Sequence, residues 1–281
     1  MKAVLVAAVA LVGVACLSGG CTEQITVTQE FVVDESLGSA AVTDVEIEMG
    51  AGRLMLTPGA TGLVSGTIRY NMESWKPKIT RSDSRLSIKQ GAPKDFSGLA
   101  GKVVNDWNLQ LGKAPMRLKV SAGVYQGTYE LGGLTLQKLT IKDGAAHTQV
   151  SFNIVNPGQM ESLEYQTGAS SVTLIGLANA NFKTMKFKGG AGDYSLDFSG
   201  ELRSDGTVEV EAGAGTVRII VPAATPARVT VDASLAGVST EGVWTVQGET
   251  YSTTAVGTVG RVKMLTIAVE MDVGSLRLIA K

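Results

Sequence analysis

The feature that most constrains this chain is a Gly-rich motif that recurs along most of its length. The unit reads apolar-x-apolar-x-x, a corner of Gly and Ala, then apolar-x-apolar, and it is clearest from Val208 to Ile219. Aligned on Gly213, the equivalent positions are Gly50, Gly123, Gly144, Gly168, Gly190, Gly213, Leu235 and Asp272, and the steps from Gly123 to Leu235 are 21, 24, 22, 23 and 22 residues. A fixed period of that length, with apolar residues alternating at a spacing of two inside it, points to stacked β rungs and away from helices. The alternation assigns Met185, Phe187, Tyr194, Leu196 and Phe198 to the core, and Lys186, Lys188, Ser195 and Asp197 to solvent. Glycine at the corner is expected to supply a positive φ for a sharp turn between strands. The predicted fold class is all-β: a single-stacked parallel β-solenoid with rungs of about 22 residues and an N-terminal β cap subdomain.

The outward positions of successive copies run Thr140/Lys142, Glu164/Gln166, Lys186/Lys188, Glu209/Glu211 and Thr230/Asp232, so the charge sign alternates through the middle three. Stacking in register places Lys186 between Glu164 and Glu209, and the expected surface feature is a cross-rung charge ladder of Glu164, Lys186, Lys188, Glu209 and Glu211. Residues 44–106 hold one copy and then leave the period, through Trp75-Lys76-Pro77 and a Ser/Gly/Ala/Lys-rich linker, Gly91 to Lys102. They are expected to form the cap, with residues 107–281 as the repeat domain. The last copy follows a step of 37 residues, so a hairpin around Gly242 to Val262 is expected to intrude or to close the far end.

The segment before the repeats reads as an export signal. Lys2 is followed by an almost wholly apolar run, Ala3 to Cys16, then by Leu17-Ser18-Gly19-Gly20 ahead of Cys21. This resembles a lipoprotein signal peptide with its lipobox, although Ser18 stands where the pattern prefers Leu. The expectation is a leader over residues 1–20, acylation of Cys21 and a tether over 21–43 in which Ile25 to Val33 forms a first strand. An ordinary cleaved secretory signal is the plainer alternative, and Cys16 is a second conceivable modification site. Cys16 and Cys21 are the chain's two cysteines, which leaves none for a disulfide. Thr22 after the cysteine implies the outer membrane where the bacterium has one. The formal net charge is −1, or −2 once the leader with its single charge, Lys2, is removed, so nucleic acid is not an expected partner.

Several of these segments together resemble the toast-rack β-repeat family, the adhesin-like proteins of bacterial envelopes. The residues are Gly50-Ala51-Gly52 with Leu54 and Leu56, Tyr70-Asn71 and Trp75 to Pro77, Asn105-Trp107-Leu109, and Asn179 to Phe182 leading into Gly189 to Tyr194. The resemblance implies a stacked β fold and an envelope location, with some relatives linked to adhesion and others to envelope-stress signalling. It brings no catalytic residues.

The residues themselves show little reactive chemistry. One histidine, His147, just past the corner Gly144-Ala145-Ala146, cannot make an ordinary zinc site, and no Ser sits in a Gly-x-Ser-x-Gly elbow. Asp143, Asp193, Asp205 and Asp272 flank Gly-rich corners, where carboxylates commonly cap turn amides; calcium between aligned corner carboxylates is the minor reading. Trp75, Trp107 and Trp244 are expected in core or cap packing. Neither a metal nor a cofactor is expected. The expected function is a membrane-anchored, non-catalytic binding, adhesin-like or structural module, with an envelope protein, a cell-wall glycan or a second copy as partner. The alternatives are an envelope-stress sensing accessory and a polysaccharide-active β-helix enzyme, which would need two facing carboxylates in a cleft.

Overall fold

A computed structural model describes residues 25–91, 102–256 and 263–281. Cys21 and the leader lie outside the described residues, as does most of the linker Gly91 to Lys102. In chain order the strands are β1 (Gln29–Glu35), β2 (Thr43–Pro58), β3 (Val64–Tyr70), β4 (Lys78–Arg81), β5 (Arg85–Lys89), β6 (Asn105–Leu111), β7 (Met116–Glu130), β8 (Leu136–Ser151), β9 (Met160–Ile175), β10 (Phe182–Asp197), β11 (Gly206–Val221), β12 (Ala227–Glu241), β13 (Trp244–Gln247), β14 (Thr250–Thr253) and β15 (Leu265–Ala280). All belong to one sheet, whose main path is β1-β3-β6-β2-β7-β8-β9-β10-β11-β15-β12-β14-β13. From β2 to β12 along that path the long rungs are parallel, which is the predicted all-β stack.

Each long strand is one rung bent at its corner into two legs whose apolar faces meet. In β10 Met185, Phe187 and Gly189 are buried before the corner and Tyr194 and Leu196 after it, so the alternation changes phase where the chain bends. The Phe187 and Tyr194 rings meet edge to face across the fold, 5.0 Å between centroids, and Phe187 stacks on Tyr165 of the preceding rung at 5.6 Å. All five residues assigned to the core from sequence are at most 2% exposed. Because each strand doubles back, a rung ends near where the next begins, and connections as short as Leu131 to Thr135 join parallel neighbours. Buried asparagines bridge these connections. Asn156 donates to the carbonyls of Leu136 and Ala180 and accepts from the Leu136 amide, holding three successive turns together.

The corner glycines act by close approach. Gly50, Gly123, Gly144, Gly168, Gly190 and Gly213 stack in one column, and a methyl group on Gly168 or Gly190 would lie 2.6 Å from the carbonyl oxygen of the glycine one rung before. The expected positive φ is found two residues later, at Gly52, Gly192, Gly215 and Gly274, with φ from 123° to 158°. β12 departs by one residue from the sequence alignment. Ala233 pairs with Met271 and Leu235 with Val273, so Ser234 holds the corner position assigned to Leu235. The spacing misplaced it because Ala233 to Ala236 contains no glycine to mark the bend.

At the N-terminal end, the two legs of β2 pair with different strands: Asp44–Glu48 with β5 and Arg53–Pro58 with β6, both parallel. β5 and β6 are therefore the halves of one rung, interrupted at its corner. Antiparallel strands cap both halves, β4 on β5 and β3 followed by β1 on β6. The sequence boundary at 106/107 falls inside β6. At the other end, β15 lies between β11 and β12, and the hairpin β13–β14 covers only the start of β12, Arg228 to Thr230.

Candidate functional site

The outer surfaces of the two legs have different chemistry. On the first legs, registered rows of side chains cross the stack. One runs Glu46, Lys119, Thr140, Glu164, Lys186, Glu209, Ala268 and Thr230. Lys186 is thus opposite both Glu164 and Glu209. Its Nζ lies 3.3 Å from Glu209 and 2.6 Å from Glu211, while Lys188 lies 2.7 Å from Glu211. Glu164 is held instead by Lys138, at 2.9 Å. The interposed β15 separates Thr230 and Asp232 from β11 and puts Ala268 and Glu270 beside Glu209 and Glu211.

At the N-terminal end of this face, Glu46 is the most engaged acid. Lys119 at 2.7 Å, Arg85 at 3.0 Å and Lys89 at 3.6 Å surround a carboxylate whose side chain is 8% exposed. The Lys119 hydrogen bond is the largest influence and outweighs the opposing effect of burial; with help from Arg85 it lowers the Glu46 pKa from 4.5 to about 2. The first-leg face is therefore largely occupied with its own ion pairs.

The second-leg face is different in its middle. Gln126, His147 and Ser171 form one registered row, bounded by Arg53 at one end and Asp193 at the other; Thr128, Gln149, Thr173 and Ser195 form the next. These seven uncharged polar side chains sit on four neighbouring rungs, all at least partly exposed. Among the described residues, no side-chain hydrogen bond or ion pair engages any of them. Rung spacing is set by backbone pairing at about 4.8 Å, so the donors and acceptors form a rigid grid. His147 belongs to this grid, which its position beyond a turn did not reveal. The grid was missed because it depends on matching outward residues of the second legs, whereas the charge signal drew attention to the first legs.

The tryptophans follow expectation. Trp75 and Trp107 are 3% and 2% exposed, and half-buried Trp244 packs against the core and donates to the Glu241 carbonyl. Of the corner aspartates, Asp205 accepts from the amide of Met264, 59 residues on, and so ties two connections together instead of capping its own turn. Asp193 and Asp272 are exposed, and the residues registered with Asp143 on its neighbouring rungs are Ala122 and Thr167, so the corner carboxylates do not form one column. Asp143 points inward. Its Oδ2 accepts from Tyr165 at 2.6 Å, Tyr125 at 3.4 Å and Thr148 at 3.5 Å, and Tyr129 donates to Tyr125. Burial, reinforced by this carboxylate, pushes the Tyr125 and Tyr165 pKa values far up, so both remain hydroxyl donors. Sequence pattern gave no sign of this cluster, because its members come from three rungs and from both legs.

Residues 21–175, more than half of the chain, match the family described as the N-terminal domain of toast_rack, DUF2154. Among solved structures the chain is similar to a candidate cell adhesion protein from Clostridium sporogenes ATCC 15579, with 19% identity and a TM-score of 0.51 over 90% of this chain and 100% of that one. A candidate adhesin from Bacteroides fragilis NCTC 9343 aligns at 11% identity over 90% of this chain and 96% of that one, with a TM-score of 0.27. A candidate lipid binding protein from Parabacteroides distasonis ATCC 8503 aligns at 10% identity, over 89% and 96%, with a TM-score of 0.30. The first is a likeness of fold. No curated protein matches the sequence.

Proposed function

We propose that this chain, which belongs to the toast-rack family by its match over residues 21–175, is a lipid-anchored module of a bacterial envelope that binds a partner without catalysing a reaction. The observation that carries the reading is the unpartnered polar grid of Gln126, Thr128, His147, Gln149, Ser171, Thr173 and Ser195. A flat array of exposed hydroxyls, amides and one imidazole, held at fixed spacing, suits a neutral, polyhydroxylated polymer lying along the stack. Such a partner offers many hydrogen bonds, and the rigid face loses little entropy on receiving them. A cell-wall glycan has that chemistry. Cys21 would be the acylation site, and the chains attached to it would keep the domain at a membrane surface.

A protein partner is the second reading, and β12 favours it. Among the described residues no strand pairs with the outer side of Ala233 to Glu241, and Leu235, Val238, Val243 and Val246 are exposed nearby. A free edge beside apolar side chains can accept a strand from another chain, as a stress-sensing accessory would require.

Two measurements test the proposal. Mass analysis of the native protein, with globomycin treatment and a Cys21→Ala control, is expected to find an acylated N-terminus at residue 21; an unmodified N-terminus elsewhere removes the anchor. Retention of the purified domain on insoluble cell-wall glycan is expected to be lost in a Gln149→Glu, Thr173→Glu double variant. Retention that survives the double variant sinks the grid as the docking face, and glycan turnover by the purified protein would replace binding with catalysis.

A further inference from the structure

Asp143 is a buried carboxylate with no basic partner among the described residues. Asp143 is 9% exposed, its Oδ2 collects three hydroxyls, and its Oδ1 has no hydrogen-bond partner. The Tyr194 hydroxyl, two rungs away on β10, is buried and equally without a partner. Asp143 lies close enough to raise the pKa of Tyr194, although burial is the larger cause. No lysine or arginine forms an ion pair with Asp143 among the described residues. An ionised carboxylate in such a place is costly unless something positive shares it.

The neighbours of Asp143 along its row are small. The row that carries Asp143 continues as Thr167, Gly189 and Ala212 on the following rungs, small residues where the rest of the core is large. Gly189 lies directly under the Tyr194 ring, so that any side chain there would collide with it. On the other leg, a methyl group on Gly127 would lie 2.8 Å from the Tyr125 ring. Tyr125 donates to the carboxylate, and the Tyr194 hydroxyl ends beside Gly189, in the row that carries Asp143.

We propose that Asp143 Oδ1, with the hydroxyl oxygens of Tyr165 and Tyr194, forms an internal site for one hard monovalent cation, Na⁺ or K⁺. The ligand set is all oxygen, which selects hard cations over the metals that seek thiolate or imidazole. The charge count selects a monovalent one, since a single carboxylate is neutralised by +1 and a divalent ion would leave a buried excess. Bound there, the ion ties β8, β9 and β10 together at the corner, behind the polar grid.

The test is thermal unfolding of the whole mature protein in NaCl, KCl and choline chloride at equal ionic strength. A cation that binds only the folded state is expected to raise the melting temperature by roughly 3–6 °C over choline at saturation. Asp143→Asn should abolish that rise, while Asp193→Asn, at an exposed corner, should keep it. Should Asp143→Asn fail to fold, Tyr194→Phe serves instead: its hydroxyl has no partner to lose, so the variant should be as stable as the parent in choline and respond less to the cation. A crystal grown with Rb⁺ should show an anomalous peak beside Asp143 Oδ1. Equal melting temperatures in the three salts, or a rise that persists unchanged in the variants, would overturn the proposal and leave an internal water as the occupant.

Discussion

Replacing Glu46 with glutamine isolates the charge of the most engaged carboxylate on the first-leg face while keeping its shape. The displacement of its pKa from 4.5 to about 2 corresponds to roughly 3 kcal/mol of stability at full strength. Arg85 and Lys119 have side chains 62% and 48% exposed, and solvent and salt screen them, so the expected loss in Glu46→Gln is about 1–2 kcal/mol at neutral pH. The direction with pH follows from the sign of the shift. A carboxyl whose folded-state pKa is depressed stabilises the fold above its unfolded value, and that contribution is lost as pH falls from about 4.5 toward 2. Urea unfolding of the parent and the variant, at intervals from pH 7 to pH 2.5, should show midpoints that differ at pH 7 and converge on acidification. A gap that stays constant across that range would mean that glutamine is disturbing packing and that the linkage argument is wrong. High salt should narrow the neutral-pH gap without closing it, because Glu46 itself is only 8% exposed.

The corner column predicts that Gly168→Ala, which sets a methyl group 2.6 Å from the Gly144 carbonyl oxygen, costs about 1–3 kcal/mol by forcing rungs apart. Gly237→Ala, with nothing within 4 Å of the new carbon, should stay within about 0.5 kcal/mol of the parent in the same unfolding assay. Asn156→Ala removes three buried hydrogen bonds between connections and should cost about 2–4 kcal/mol, mostly through the backbone groups it strands. Lys186→Gln, by contrast, should move the melting temperature by no more than ~1 °C in physiological salt, since its pairs with Glu209 and Glu211 lie in solvent.

The repeat was legible because its signal is carried by many copies at once. Each rung must present the same inward positions to its neighbours, so the spacing of Gly123, Gly144, Gly168, Gly190 and Gly213 encodes the register directly, and Met185, Phe187 and Tyr194 can be placed from β10 alone. The signal fades where a rung is single or broken. The rung shared by β5 and β6 is divided in the sequence at its corner, and nothing local says that Arg85–Lys89 and Asn105–Leu111 extend the two legs of β2. The exchange of order between β12 and β15 is equally silent, because both carry the same pattern and either satisfies β11. Asp143 was read as a turn cap because carboxylates beside glycine usually are; its inward direction follows from a phase that only its neighbours on β7 and β9 fix. The polar grid is a property of four rungs together, and each of its residues looks ordinary alone.

The position of β15 bears on how the molecule can be completed. A chain that emerges N-terminus first can add rungs from β2 to β11 in the order of synthesis, each settling on the one before. β12 emerges next, and apart from the hairpin that pairs with its first residues it has no seat: its long partner is a strand that arrives more than twenty residues later. Until β15 slides between them, the growing end exposes β11 on one side and a stranded rung on the other, two sheet edges primed to pair wrongly. The final step of folding is thus an insertion instead of an addition. A molecule whose β15 is missing or damaged would remain visibly unfinished to any protease that surveys open edges.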